Sequence, residues 1–173
     1  MLDFSDLKEQ ELLALAISLE EEDSRIYTEF ARGLRETYPH TAQVFSDMAE
    51  EETGHRHRLL DLYLAKFGDH IPLIRRQDVR GFVEREPVWL LRPLGLDKVR
   101  AQAELMEAET RRFYIRAAQR STDVSVRQLL GDLAAEERRH EAKAESLERE
   151  HLPHDAKKRE HEAERRLFLL QVV

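Results

Sequence analysis

The chain has 173 residues, 36% of them charged, a formal net charge of −7 and no cysteine. That length fits one domain with room for four helices, and the lack of Cys rules out disulfides, iron–sulfur clusters and Cys-based zinc sites. Charges of both signs are interspersed, so nothing supplies a basic surface for nucleic-acid phosphates, and no run of ~20 apolar residues could cross a bilayer.

In chain order, the N-terminus "MLDFSDLKEQE" lacks the apolar centre of a signal peptide. Only 6 Gly and 5 Pro interrupt a chain rich in Ala, Leu, Glu and Arg, which favours long helices. The pattern predicts helix 1 from about Ser5 to Thr37, stopped by Tyr38-Pro39. Helix 2 is predicted from about Thr41 to Phe67, with Gly68 as its C-terminal stop. Residues 69–95 read as a long crossover with one or two short helical turns. Helix 3 is predicted to start near Asp97, as N-cap, and to end near Arg120. Helix 4 is predicted from Ser121 or Thr122 to before Pro153, and a last amphipathic piece from about Asp155 to Val173. Short connections make helices 1 and 2, and helices 3 and 4, antiparallel neighbours. The long middle link gives an all-α four-helix bundle with one crossover, the ferritin-like pattern, plus an extra C-terminal helix. Residues 1–152 are expected to form the bundle and 153–173 a C-terminal helical segment.

The halves repeat. Val44, Phe45, Met48, Ala49, Glu52, His55 and Leu59 align without a gap with Leu129, Leu130, Leu133, Ala134, Glu137, His140 and Ala144. Both halves therefore carry Glu-x-x-His, as Glu52-x-x-His55 and Glu137-x-x-His140. Each is preceded by a Glu with a Tyr seven residues later, Glu20…Tyr27 and Glu107…Tyr114. With 35 acidic residues and 8 His in the chain, one such pair would mean little, but two in phase with a repeat mean more.

A helix turns roughly 100° per residue. Within roughly 60° of Glu20 lie Leu13, Ala16, Ile17, Ser24, Tyr27, Ala31 and Leu34, so Glu20 interrupts an apolar stripe while Glu21 and Glu22 point aside. The same construction surrounds Glu52 with Phe45, Met48, Ala49, His55, Leu59 and Tyr63, and Glu137 with Val126, Leu130, Leu133, Ala134 and His140. Around Glu107 it gathers Leu96, Ala103, Tyr114 and Ala118, but also Glu104, Arg100 and Arg111. Four inward carboxylates repel one another and lose hydration, and a pair of divalent cations removes that penalty. Oxygen ligands with one imidazole per metal suit iron or manganese, and zinc could substitute. Tyr27 and Tyr114 are placed to donate hydrogen bonds to the Glu20 and Glu107 carboxylates. Glu104 reads equally as a ligand or as a salt-bridge partner of Arg100 or Arg111. His57 falls off the core face, His40 and His70 lie at element edges, and His151, His154 and His161 read as a polar C-terminal segment. Trp89, with Leu90 and Leu91, reads as a plug over the bundle.

These residues resemble the rubrerythrin branch of the ferritin-like superfamily: Glu20 with Tyr27, Glu52-x-x-His55, Glu104-x-x-Glu107 and Glu137-x-x-His140. Typical rubrerythrins also carry a Cys-rich rubredoxin-like iron site, which a chain without Cys lacks. The stretches "LALAISLEEEDSRIYTEFARGLRE", "FGDHIPLIRRQDVRGFV", "PVWLLRPLGLD" and "REHLPHDAKKREHEAERRLFLLQVV" resemble the ferritin-like domain of bacterial membrane-bound ferritins, in which such a domain is fused to a vacuolar-iron-transporter-type membrane domain. That membrane domain is absent here, and an excised or truncated product is the expectation. The resemblance implies two iron ions as cofactors, Fe(II) oxidation with O2 or peroxide, and a role in iron export at the cytoplasmic face of the membrane.

Three functions compete on these residues: a ferroxidase, a non-enzymatic metal-binding or sensing module serving a transporter, and a structural dimerisation domain. An organic-substrate hydroxylase fits less well. In the ferroxidase reading Glu52 and Glu137 bridge the metals, Glu20 and Glu107 (or Glu104) are terminal ligands, and His55 and His140 bind one metal each. Apolar residues of the crossover, among them Ile71, Leu73, Ile74 and Trp89, exceed what one bundle can cover, which predicts a homodimer.

Overall fold

Four long helices dominate the computed structural model, which describes residues 2–81, 96–146 and 162. Helix α1 spans Glu9–Leu34, α2 Pro39–Phe67, α3 Leu96–Arg120 and α4 Val124–Ser146. Helix α1 packs chiefly on α2, and α3 on α4, as the short connections require. The ferritin-like four-helix bundle expected from the sequence is the observed one.

The ends differ from expectation for local reasons. Residues Phe4–Asp6 form a separate 3-10 turn, in which Asp3 accepts the Ser5 N–H at 3.0 Å. Helix α1 then begins where Glu11 reaches back to the Lys8 N–H at 2.7 Å, a capping-box contact. Pro39 starts α2 instead of merely ending α1, because the first helical position needs no N–H and tolerates proline. Gly68 ends α2 as expected, at φ 81°, a left-handed value that favours glycine. Asp97 falls inside the first turn of α3. Asp123, and not Ser121 or Thr122, caps α4 by accepting the Ser125 and Val126 N–H groups at 2.9 and 3.1 Å.

After α2 the chain forms a 3-10 turn at Arg76–Asp78 and then a two-residue strand, β2 (Val79–Arg80), parallel to β1 (Leu2–Asp3) with Leu2 opposite Val79. Strands of two residues carry no readable alternation and leave no signature in the residue pattern. Arg76 forks Glu22 at 3.1 and 2.9 Å and ties this segment to α1. Trp89, the expected end of helix 4 near Pro153, His151, His154, His161 and the Asp155–Val173 piece lie outside the described residues.

The core is split. One apolar cluster holds Leu12–Ile17 and Leu19 of α1, Leu59 and Tyr63 of α2, Phe113 and Tyr114 of α3, and Leu130 and Leu133 of α4. The other holds Ile26, Tyr27 and Phe30 of α1, Phe45, Met48 and Ala49 of α2, and Ala103 and Met106 of α3. Along α1 the change falls between Leu19 and Ile26, along α2 between Ala49 and Leu59, and along α3 between Met106 and Phe113. Glu20, Glu52 with His55, and Glu107 occupy those gaps. A polar layer therefore crosses the middle of an otherwise apolar bundle.

Candidate metal centre

All six core-facing residues of that layer are buried: Glu20 is 0% exposed, Glu52 and Glu137 1%, Glu107 2%, His55 3% and His140 4%. They form two groups, Glu20, Glu52, His55 and Glu137, and Glu52, Glu107, Glu137 and His140. Within each group the possible ligand atoms all lie within 4.8 Å of one another. Glu52 and Glu137 belong to both groups, one from each helical hairpin, as the repeat requires.

Both imidazoles turn Nδ1 inward. His55 Nδ1 lies 3.0 Å from Glu52 Oε2, 3.0 Å from Glu137 Oε1 and 3.6 Å from Glu20 Oε2. His140 Nδ1 lies 3.2 Å from Glu52 Oε1 and 3.5 Å from both Glu107 Oε2 and Glu137 Oε2. The rings stack face to face, 5.3 Å between centroids and 7° from parallel. Tyr114 donates its hydroxyl hydrogen to Glu20, and Tyr27 to Glu107. Each tyrosine thus serves the carboxylate of the other half.

Burial dominates the electrostatics. It pushes Glu20 up to about 8, with the Glu52 charge adding to the effect. Burial likewise pushes Glu137 up to about 8 and raises Glu52, where the Glu137 charge contributes. Burial pulls His55 down, but its contacts with Glu137, Glu20 and Glu52 outweigh that and push it up to about 12. His140 is raised in the same way by Glu107, Glu137 and Glu52. Burial, followed by the charges of Glu107 and Glu20 respectively, raises Tyr27 and Tyr114 well above the usual phenol value. Both stay protonated and serve as hydrogen-bond donors.

Whether these residues suit a metal pair is answered by their polar atoms. Glu20 Oε2, both oxygens of Glu52 and of Glu137, Glu107 Oε2, and Nδ1 of His55 and of His140 are buried without a hydrogen bond. Carboxylate oxygens and imidazole nitrogens left so in an apolar interior are costly, and a cation satisfies them together. Hard oxygens with one nitrogen per group match iron or manganese. The groups can hold metal ions.

Glu104 is not brought to either group. It is solvent-exposed, one turn before Glu107 on α3, where the margin of the stripe turns outward. Arg111 pairs at 3.0 Å with Glu141, and Arg100 donates to Thr41 at 3.2 Å. Glu21 is exposed, Glu22 is half-buried against Arg76, and His40, His57 and His70 are exposed.

Other residues entered the site's surroundings without having been singled out. Asp23, three residues after Glu20, is 3% exposed and accepts a hydrogen bond at 3.0 Å from Thr110, three residues after Glu107. The equal spacing in both halves was the available signal. A cavity of about 410 Å³ opens between α2 and α4, lined by Glu51, His55, Arg58, Glu136, His140 and Lys143. Glu51 and Glu136 each directly precede a core-facing Glu, a doubling that the repeat displayed.

An antiparallel helical bundle that buries two carboxylate–imidazole groups around shared glutamates defines a ferritin-like metal-binding domain. The chain belongs to the rubrerythrin family, whose model matches residues 11–148. It is similar to the crystal structure of an uncharacterized conserved protein from Magnetospirillum magnetotacticum, at 27% identity and a TM-score of 0.63, over 85% of this chain and 98% of that one. A hypothetical protein from Pyrococcus furiosus shares the fold, with a TM-score of 0.64 at 22% identity, over 83% of this chain and 90% of that one. No curated protein matches the chain. No helix among the described residues is long and apolar enough to cross a membrane.

Proposed function

We propose that the domain binds two iron ions per chain and oxidises Fe(II), with O2 or peroxide as the acceptor. The observation that carries this reading is the sharing of Glu52 and Glu137 between the two groups. Ligands shared between the two groups would let a pair of cations act together on one oxidant, whereas two separate ligand sets would not. Glu20 and Glu107 would be the terminal ligands, His55 and His140 would each hold one metal through Nδ1, and Tyr27 and Tyr114 hold the Glu107 and Glu20 carboxylates in place. A bound iron pair supplies two electrons to the oxidant. The residues of the chain fix the ions, screen their charge and keep bulk water from the Glu20 and Glu107 side, where both carboxylates are buried. Manganese or zinc can take the same ligands.

The resemblance of the crossover and C-terminal stretches to membrane-bound ferritins supports a wider setting. In it, residues 1–152 are the iron-handling unit and 153–173 lead toward a membrane iron-transport domain. That arrangement puts the bundle, as a homodimer, at the cytoplasmic face of the membrane.

Oxygen uptake after anaerobic Fe(II) loading tests the chemistry. Rapid uptake on admitting O2, repeated with fresh Fe(II), is expected. Stoichiometric binding without uptake from either O2 or peroxide would contradict oxidation and leave a binding or delivery module. Light scattering tests the dimer, and a monomer at micromolar concentration would refute it.

A further inference from the structure

The repeat extends beyond the core-facing residues. Glu51-Glu52-x-x-His55-x-x-Arg58 in α2 matches Glu136-Glu137-x-x-His140-x-x-Lys143 in α4. The first Glu and the last cation of each motif take no part in either metal group. Instead they meet across the bundle. Glu136 Oε2 lies 3.0 Å from His55 Nε2, and Arg58 grips the same carboxylate with two hydrogen bonds, 2.9 Å to Oε1 and 2.6 Å to Oε2. In the mirrored arrangement Glu51 contacts His140 Nε2, and Lys143 donates to Glu51 at 3.1 Å.

We propose that Glu136 and Glu51 are positioning residues that hold the imidazoles of His55 and His140, each from the opposite helical hairpin, so that Nδ1 presents its lone pair to the metal. This rests on the di-metal reading. A neutral imidazole has one N–H and one lone pair, and a carboxylate at Nε2 accepts only the N–H. In the metal-loaded chain the one remaining ring proton would therefore sit on Nε2, leaving the lone pair on Nδ1, the nitrogen that faces Glu52 and Glu137. The flanking cation keeps each carboxylate aimed. His55 and His140 line the cavity between α2 and α4 together with Glu51 and Glu136, so losing these carboxylates would cost ring orientation and tautomer before it cost the fold. The two braces are unequal. Arg58 grips Glu136 as a rigid two-point clamp, whereas Lys143 reaches Glu51 with a compact ammonium on a flexible stem.

Cobalt(II) binding tests this, read by titration and by the paramagnetically shifted exchangeable imidazole N–H signals in proton NMR. The unaltered protein should bind two ions per chain and show two such signals. Glu136→Leu should weaken one ion by roughly 10- to 100-fold and abolish one N–H signal. Glu51→Leu, at an exposed position and so safe for folding, should do the same to the other signal. Glu136→Gln, which still offers an oxygen to Nε2–H, should keep the signal with a smaller loss of affinity. Arg58→Ala should weaken binding more than Lys143→Ala. Two bound ions in the unaltered protein, with affinity and both signals kept in the Leu variants, would overturn the positioning role alone. Failure of the unaltered protein to bind cobalt(II), iron(II) or manganese(II) would overturn the di-metal reading, and the positioning role with it.

Discussion

Tyr114 of α3 donates its hydroxyl hydrogen to Glu20 of α1, and Tyr27 of α1 returns the favour to Glu107 of α3. The two hydrogen bonds cross between hairpins, so they couple the halves at the level of the polar layer. Loss of one leaves a buried carboxylate oxygen without its donor, at a cost of roughly 1–3 kcal/mol. Tyr27→Phe and Tyr114→Phe should each lower the unfolding temperature of the metal-free protein and weaken metal binding roughly 10-fold. Calorimetry on both variants checks the first effect and metal titration the second. Unchanged values would show that these hydroxyls do not hold the carboxylates.

Glu20 and Glu22 lie two residues apart and should behave oppositely. Glu20→Gln removes a buried ionisable group, so the metal-free protein should unfold at the same temperature or higher while binding one metal fewer. Glu22→Ala loses only a part-exposed pair with Arg76, worth at most about 1 kcal/mol, and should bind metal normally. Equal metal loss in both would remove the basis for assigning Glu20 to the inner face.

Stability of the metal-free protein should fall as pH rises. Glu20 and Glu137 hold protons up to about 8 in the folded chain instead of the ordinary 4.5, so the folded state binds more protons than the unfolded one between those values. His55, raised from 6.5 to about 12, contributes stability that is full below 6.5 and is lost as pH climbs toward 12. Glu107, held below its ordinary 4.5 (burial raises it, contacts with His140 lower it further), acts oppositely but only on the acid side of that value. Both windows give a negative slope of stability from about pH 6 to about pH 9. Thermal unfolding of chelator-treated protein measures it, and a rising melting temperature over that range would be the contrary result.

Saturating metal should reverse that trend and raise the melting temperature. Free metal at 100 times its dissociation constant stabilises the native state by roughly 2.7 kcal/mol, provided the unfolded chain binds none. A chelator should restore the original transition. Metal that binds without moving the transition would place it away from the buried layer.

Phe45 tests the apolar half of the account. It is 0% exposed, stacks on Tyr27 with ring centroids 5.9 Å apart and meets Phe30 edge-on at 5.5 Å. Phe45→Ala should cost roughly 3–5 kcal/mol. Denaturant unfolding checks this, and a loss below about 1 kcal/mol would mean the cluster is not packed as described.

Helical period and repeat made much of this legible in advance. Glu20, Glu52, Glu107 and Glu137 stand on stripes of Leu, Ala, Phe and Met, and a carboxylate on such a stripe points inward whatever the partner helix is. The same rule failed for Glu104, because Arg100 and Arg111 share its sector and show that α3 has a broader wet margin. Which tyrosine serves which carboxylate is a matter of how two hairpins dock, and no spacing within one helix encodes it. The same holds for Glu136 and Glu51, whose role depends on a cross-hairpin contact although their place in the repeat was visible. Pro39 reads as a stop because proline breaks helices in their interior. At the first helical position the same residue begins one.

Metal content per chain after anaerobic Fe(II) loading and gel filtration tests the central claim most directly. The account predicts two iron ions per chain, and loss of both in the Glu52→Ala, Glu137→Ala double variant, since each group contains both glutamates. One iron or none in the unaltered protein, or two in the double variant, would contradict it.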